Sequence, residues 1–300
     1  MRKSLYIMLF LFLVPYLALG AEHYIRSAAT GTGNGEDWEN AYTTWPTFIR
    51  GDTYYLAGGS YGGDSWNIAN SGNLKITIKK ASASDHGTET GWQASYGTTQ
   101  AYIDGTISVY TGFYVIDGQY RDEDDWTDGT AYGIKIYRPL TSKVFQTASG
   151  ASSTASNIEI AYIYIQGQIT GALGRNDFIF SYYGGSDWYV HHNLMKDSNS
   201  LWAYLGCNND DSVFEYNYFW TNESYEPQHG EGFQSICNPS DGAGRVDRII
   251  IRYNFLRDSA GTATISLNNA ANWKIYGNVF LDNNQHGNGL IGVGNGSYTA

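Results

Sequence analysis

Only two cysteines, five prolines and six histidines occur in the 300 residues. So few cysteines exclude a small scaffold held by several disulfides, and a His–Cys zinc site has no support in the sequence. Cations are scarce as well: 18 Lys and Arg against 29 Asp and Glu give a formal charge of −11. An acidic chain repels polyanions, which argues against nucleic acid and anionic membranes as partners. It argues less against acidic polysaccharides, because a local basic cleft is compatible with a negative average. After residue 19 no apolar run reaches about 18 residues, so no membrane span is expected. Long helical periodicity is missing too. The glycine-rich turn Gly31–Trp38 (GTGNGEDW) is not followed by Lys-Ser/Thr, which excludes a phosphate-binding loop.

What is plentiful is glycine (36), tyrosine (26) and tryptophan (9). The chain opens Met1-Arg2-Lys3 and runs apolar from Leu5 to Leu19, with the small residues Ala18 and Gly20 at a cleavage site. That pattern reads as a secretory signal peptide over 1–20, so the mature protein is expected to start at Ala21 and to be secreted, extracellular or periplasmic. No cysteine follows the site, so no lipid anchor is expected. The remainder fits one elongated domain: an N-terminal cap segment over 21–63, then repeated coils over 64–300.

Four segments of the second half are near-copies: WYVHHNLMKDS from Trp188, SVFEYNYFWTN from Ser212, IIIRYNFLRDS from Ile249 and WKIYGNVFLDN from Trp273. Their asparagines, Asn193, Asn217, Asn254 and Asn278, are 24, 37 and 24 residues apart. A strand–Asn–strand unit of this size cannot bury its apolar side alone, so it must stack on its copies. Alternation along the first strand puts Trp188, Val190, Phe214, Ile249, Ile251, Trp273 and Ile275 inside. It lines up His191, Glu215, Arg252 and Tyr276 outside, with Glu215–Arg252 a surface ion pair worth little by itself. The asparagines are expected to form a structural ladder. Cys207 and Cys237 lie 30 residues apart at equivalent places on successive units. Stacked strands bring such positions within disulfide range; a bridge and two buried thiols filling a core column are the two readings. The last residues, 289–300, stop just after another first strand with no polar cap, so truncation at the C-terminal end is expected.

The order strand, glycine-rich turn, Trp38-Glu39-Asn40-Ala41-Tyr42, Gly51-Asp52-Thr53, apolar strand, Gly59-Ser60-Tyr61 resembles the start of secreted right-handed parallel β-helix proteins of the pectin-lyase-like superfamily. The asparagine ladder is similar to theirs. The resemblance covers most of the mature chain and implies an all-β, right-handed parallel β-helix solenoid. It says little about activity, since lyases, hydrolases, esterases, tail spikes and adhesins share this fold.

The coil from Asn217 to Asn254 is the long one, and its excess falls in two loops, 221–228 and 238–247. Between them lies His229-Gly230-Glu231-Gly232-Phe233-Gln234. Loops on both sides of one strand would wall a groove. His229 and Glu231, two apart on extended backbone, would point the same way and serve as base and acid. Arg245 or Arg248 would neutralise a carboxylate or a developing anion. Trp202 and Tyr204, read as outward, with Tyr225 and Gln234, would contact sugar. These residues suit β-elimination by a polysaccharide lyase on an extracellular or cell-surface glycan. The alternatives are a glycoside hydrolase, for which no spacing singles out a carboxylate pair, and a non-catalytic glycan-binding or adhesion module. The plainer reading of His229 and Glu231 is two polar turn residues. No cofactor is demanded. Ca²⁺ has one candidate set, Asp122, Asp124 and Asp128, in a run that reads more readily as a solvated insertion. His191 and His192 should point to opposite faces of a strand, which argues against joint metal ligation.

Overall fold

The structure, a computed structural model, describes residues 20–138, 143–147, 155–169, 176–222, 230–237, 244–259, 263–281 and 289–293. It is an all-β, right-handed parallel β-helix in which, among the described residues, every strand pairing is parallel. Each regular coil crosses three faces. The first face stacks nine strands, among them Ile158–Ala161, Trp188–His191, Val213–Glu215, Ile250–Arg252 and Lys274–Tyr276. The second stacks Ile134–Tyr137, Ile163–Gln166, Leu194–Ser198, Tyr218–Asn222, Phe255–Ser259 and Val279–Leu281. The third stacks Phe145–Thr147, Ile179–Tyr183, Ala203–Cys207, Phe233–Ser235, Ile265–Leu267 and Ile291–Val293. The long strand Ala101–Val109 joins the last two faces, pairing with Ile134–Tyr137 through its first half and Phe145–Thr147 through its second.

Each regular first-face strand is bracketed by two residues in the left-handed region, five positions apart. The pairs are Asn157/Tyr162, Asp187/His192, Asp211/Tyr216, Arg248/Tyr253 and Asn272/Gly277, with φ between 55° and 67°. Four residues therefore run extended, two side chains in and two out, before the chain turns a corner. Asn and Asp tolerate this conformation. For Tyr and His it costs on the order of 1–3 kcal/mol. Ring stacking along the corner offsets part of that: Tyr162–His192, His192–Tyr216 and Tyr216–Tyr253 centroids lie 4.9, 5.2 and 5.3 Å apart. The left-handed Tyr162 also separates Ile158–Ala161 on the first face from Ile163–Gln166 on the second.

Inside, Trp188, Val190, Phe214, Ile249 and Ile251 are buried as the alternation requires, and Trp273 and Ile275 pack against the same core. The outward file His191, Glu215, Arg252, Tyr276 is in register rung by rung. The asparagines are aligned along one edge. Asn193 Nδ2 and Asn193 N both donate to Asn217 Oδ1 at 3.0 Å, and Asn217 and Asn254 repeat the contact on the next rungs. Cys207 and Cys237 form a disulfide between adjacent rungs, with Cα atoms 4.6 Å apart.

Two insertions separate the first and second faces in the early coils. One carries a five-residue helix, Ala94–Thr98, whose segment supplies Tyr96 O and Gly97 O as acceptors for the fully buried Lys80 ammonium at 2.6 and 3.1 Å. The other, 118–133, folds back over the outside of the second face. There the buried Tyr132 packs with Tyr164, Leu194 and Tyr218, joined by Trp126 and Phe255.

Candidate functional site

Of the expected site residues, those that are described do not share one groove. Tyr225 and His229 lie outside the described residues, as do loop residues 223–228 and 238–243. Glu231 is described and is 2% exposed, buried at the turn from the second face to the third. There the backbone turns inward: the Cβ that Gly232 lacks would stand 2.4 Å from the Trp202 ring. Trp202 itself, expected outward, is wholly buried in the main core, 5.3 Å from Phe219. Trp202 precedes strand Ala203–Cys207, so strand alternation does not govern it. Its N–H and that of Ala203 both donate to Gly232 O, at 2.9 and 3.0 Å.

Tyr204 does lie on the outer side of the third face, in register with Phe180 and Gln234. Its ring stacks on Phe180 at 4.6 Å, and Tyr204 and Gln234 are both buried. A face already occupied by Phe180 is not offered to a sugar. Arg245 and Arg248 stand at the other end of the third face, on the corner leading to the first, while Glu231 precedes that face. Arg245 is exposed. Arg248 is half exposed and held by Asp211 at 2.6 and 2.7 Å and by Asp247 at 2.6 Å. Those carboxylates raise its already high pKa, the Asp211 hydrogen bond contributing most. With Asp211, Ile250, Asn272 and Lys274 it lines a surface hollow of about 410 Å³.

The acidic insertion is built as successive turns. Asp122 Oδ1 accepts from Asp124 N at 2.8 Å, and Asp128 Oδ1 from Thr130 N at 2.9 Å and Thr130 Oγ1 at 2.7 Å. Among the described residues no three His, Cys, Asp or Glu side chains converge as a metal centre. His191 and His192 depart most from expectation. The left-handed φ of His192 swings its ring beside its neighbour, and the two Nδ1 atoms face each other at 2.9 Å.

The outer side of the second face carries a file that strand-by-strand reading did not assemble. Tyr137, Gln166, Lys196, Trp220 and Arg257 occupy one register position on five successive rungs. All five are half-buried. Lys196 Nζ sits 4.0 Å and Arg257 Cζ 4.9 Å from the Trp220 ring centre, one from each neighbouring rung. Trp220 Nε1 donates to Asp258 Oδ2 at 3.1 Å, and Arg257 Nε is 3.2 Å from the same oxygen. One file over, Lys135 Nζ lies 4.8 Å from the Tyr164 ring centre. Asp197, beside Lys196, has its pKa raised by burial. In sequence, Lys196, Trp220 and Arg257 are each the second residue before the Ser or Asn that ends a copy, but only the register adds Gln166 and Tyr137 to the same strip.

Compared with known proteins, the chain matches no family model, no curated protein and no solved structure. Its fold class is therefore established by the stacked parallel sheets themselves. Among the described residues no helix is long and apolar enough to cross a membrane, which says nothing of membrane β-barrels.

Proposed function

We propose that this chain is a secreted, carbohydrate-active β-helix protein of the pectin-lyase-like kind, and that its glycan surface is the outer side of the second face. The observation that carries this reading is the file Tyr137–Gln166–Lys196–Trp220–Arg257, which repeats at one strand spacing, about 4.8 Å per rung. An extended polysaccharide is itself a repeat, and a rigid periodic strip of amide, ammonium, guanidinium and ring edges can meet successive sugars without reorganising. Lysine and arginine held against Trp220 also supply local positive charge on a chain that is acidic overall. Trp220→Ala and Lys196→Gln should each weaken retention of the protein by a polysaccharide gel while leaving its melting temperature nearly unchanged. Equal retention of the variants and the parent would reject this surface.

As for chemistry, elimination draws little support from the described residues: Glu231 is internal and Arg248 is committed to Asp211 and Asp247. Hydrolysis is favoured by one relationship. Asp197 and Asp258 follow in-register residues two rungs apart, roughly 10 Å along the axis. That is near the wide limit, ~9.5 Å, for the two carboxyl groups of an inverting glycosidase. Burial favours the protonated form of Asp197, while Asp258 is ion-paired to Arg257. The plainer reading is that both are left-handed turn residues, with φ 64° and 53°. Asp197→Asn and Asp258→Asn should cut release of reducing ends by about 100-fold or more with binding retained. Undiminished release would leave them as turn residues.

A further inference from the structure

The contact between His191 and His192 constrains how many protons the pair can hold. Two Nδ1 atoms 2.9 Å apart form a hydrogen bond only if one carries hydrogen and the other does not. His191 Nε2 faces Glu159 Oε1 at 3.5 Å, so that nitrogen carries hydrogen. With both rings neutral, His192 then donates from Nδ1. One added proton is tolerated, because a single hydrogen can still lie between the two Nδ1 atoms. A second added proton sets N–H against N–H, and His192 must leave its place.

That place is also where the insertion 118–133 is fastened. The His192 ring is sandwiched between Tyr162 and Tyr216, at 4.9 and 5.2 Å. Arg121 of the insertion, 8% exposed, donates from Nη1 to Tyr216 O at 2.6 Å. The same guanidinium grips Glu123 at 3.0 and 2.8 Å and lies 3.8 Å from the Trp126 ring centre. Trp126 in turn meets Phe255 at 5.4 Å, and Tyr132 meets Tyr164 at 6.4 Å, both on the second face. The titratable and charged groups around the pair come from every neighbouring element: Asp117 and Glu159 from the preceding rungs, the neutral Tyr189 on its own strand, Glu215 on the next, and Arg121 and Glu123 from the insertion. Burial, then Arg121 and His191, push His192 down to about 4, with Glu123 and Glu215 opposing them.

We propose that the His191–His192 pair is a proton-operated latch: with His192 neutral the insertion stays down on the second face, and its protonation releases the insertion at Arg121. Release would uncover Tyr164, Leu194 and Tyr218, the file beside Trp220. The latch does not depend on what the second face binds.

The test is hydrogen exchange of the insertion, expressed as protection relative to an unstructured peptide at each pH. Between about pH 6.5 and about pH 4, protection over 119–132 in the intact protein should fall about tenfold or more. His192→Tyr installs the residue found at Tyr162, Tyr216 and Tyr253, keeps the corner stack and removes the titration. It should retain protection throughout that range. An equal fall in His192→Tyr would assign the change to carboxylates and overturn the latch. So would constant protection in the parent protein, or a loss spread evenly over all coils. Thermal melting of His192→Tyr near neutral pH, matching the parent, establishes that the variant is folded.

Discussion

Asn217 and Asn254 are locked to each other across one rung: Asn254 Oδ1 accepts from both the backbone N–H and the side-chain amide of Asn217, at 2.9 and 3.0 Å. Asn217 Nδ2 also donates to Val190 O at 2.9 Å, and its own oxygen takes the same two bonds from Asn193 at 3.0 Å each. Both residues are buried, so none of these groups has water as an alternative. Asn217→Ala would strand the Asn193 N–H and the Val190 carbonyl. A loss of about 3 kcal/mol is expected from leaving such groups unpaired. Denaturant titration checks this, and a loss under about 1 kcal/mol would mean that the stacked sheets alone carry the coil.

The Cys207–Cys237 bridge closes a 30-residue separation, one coil of the solenoid. Restricting the unfolded chain over such a loop contributes about 3–4 kcal/mol in the chain-entropy account. The double variant Cys207→Ser/Cys237→Ser should fold and melt lower. Adding reductant should lower the melting temperature of the parent and leave the variant unmoved. Sensitivity of the variant to reductant would contradict this.

Glu215 was expected on a solvated face, yet it is 5% exposed and receives hydrogen bonds from Tyr189 Oη and Arg252 Nε. Burial pushes its pKa up, but those two bonds together with the Arg252 and His191 charges outweigh it and leave the carboxyl below its usual 4.5. A carboxylate with a depressed folded pKa contributes stability that is present above about 4.5 and is lost as pH falls through the folded value. Glu215→Gln should therefore lower stability at neutral pH. The gap between parent and variant should narrow as pH is taken below about 4.5. A gap that widens in acid would reverse the sign assigned here.

The architecture was legible because the repeat is written in residues that do one thing. An asparagine every coil, flanked by alternating apolar residues such as Trp188 and Val190, leaves few folds that bury them. The outward file His191–Glu215–Arg252–Tyr276 followed from the same alignment. The candidate site was not legible for two physical reasons. Trp202 sits before its strand, where the chain is turning, so the two-residue period that places Tyr204 outside does not apply to it. His192 has a left-handed backbone, and strand alternation says nothing about a ring turned back beside His191. In the strip through Trp220, Lys196, Trp220 and Arg257 each lie three residues after a ladder asparagine, so the same alignment holds them. Gln166 and Tyr137 belong to earlier coils without that asparagine, and only the strand register places them in the strip.

The most direct measurement of the central claim is affinity electrophoresis of the parent protein and Trp220→Ala through gels containing neutral or acidic polysaccharides. At least one polysaccharide should retard the parent, and Trp220→Ala, melting within a few degrees of it, should migrate about as it does in an empty gel. A parent that runs unretarded in every gel, or a Trp220→Ala variant retarded as strongly as the parent, would contradict a glycan surface on the second face.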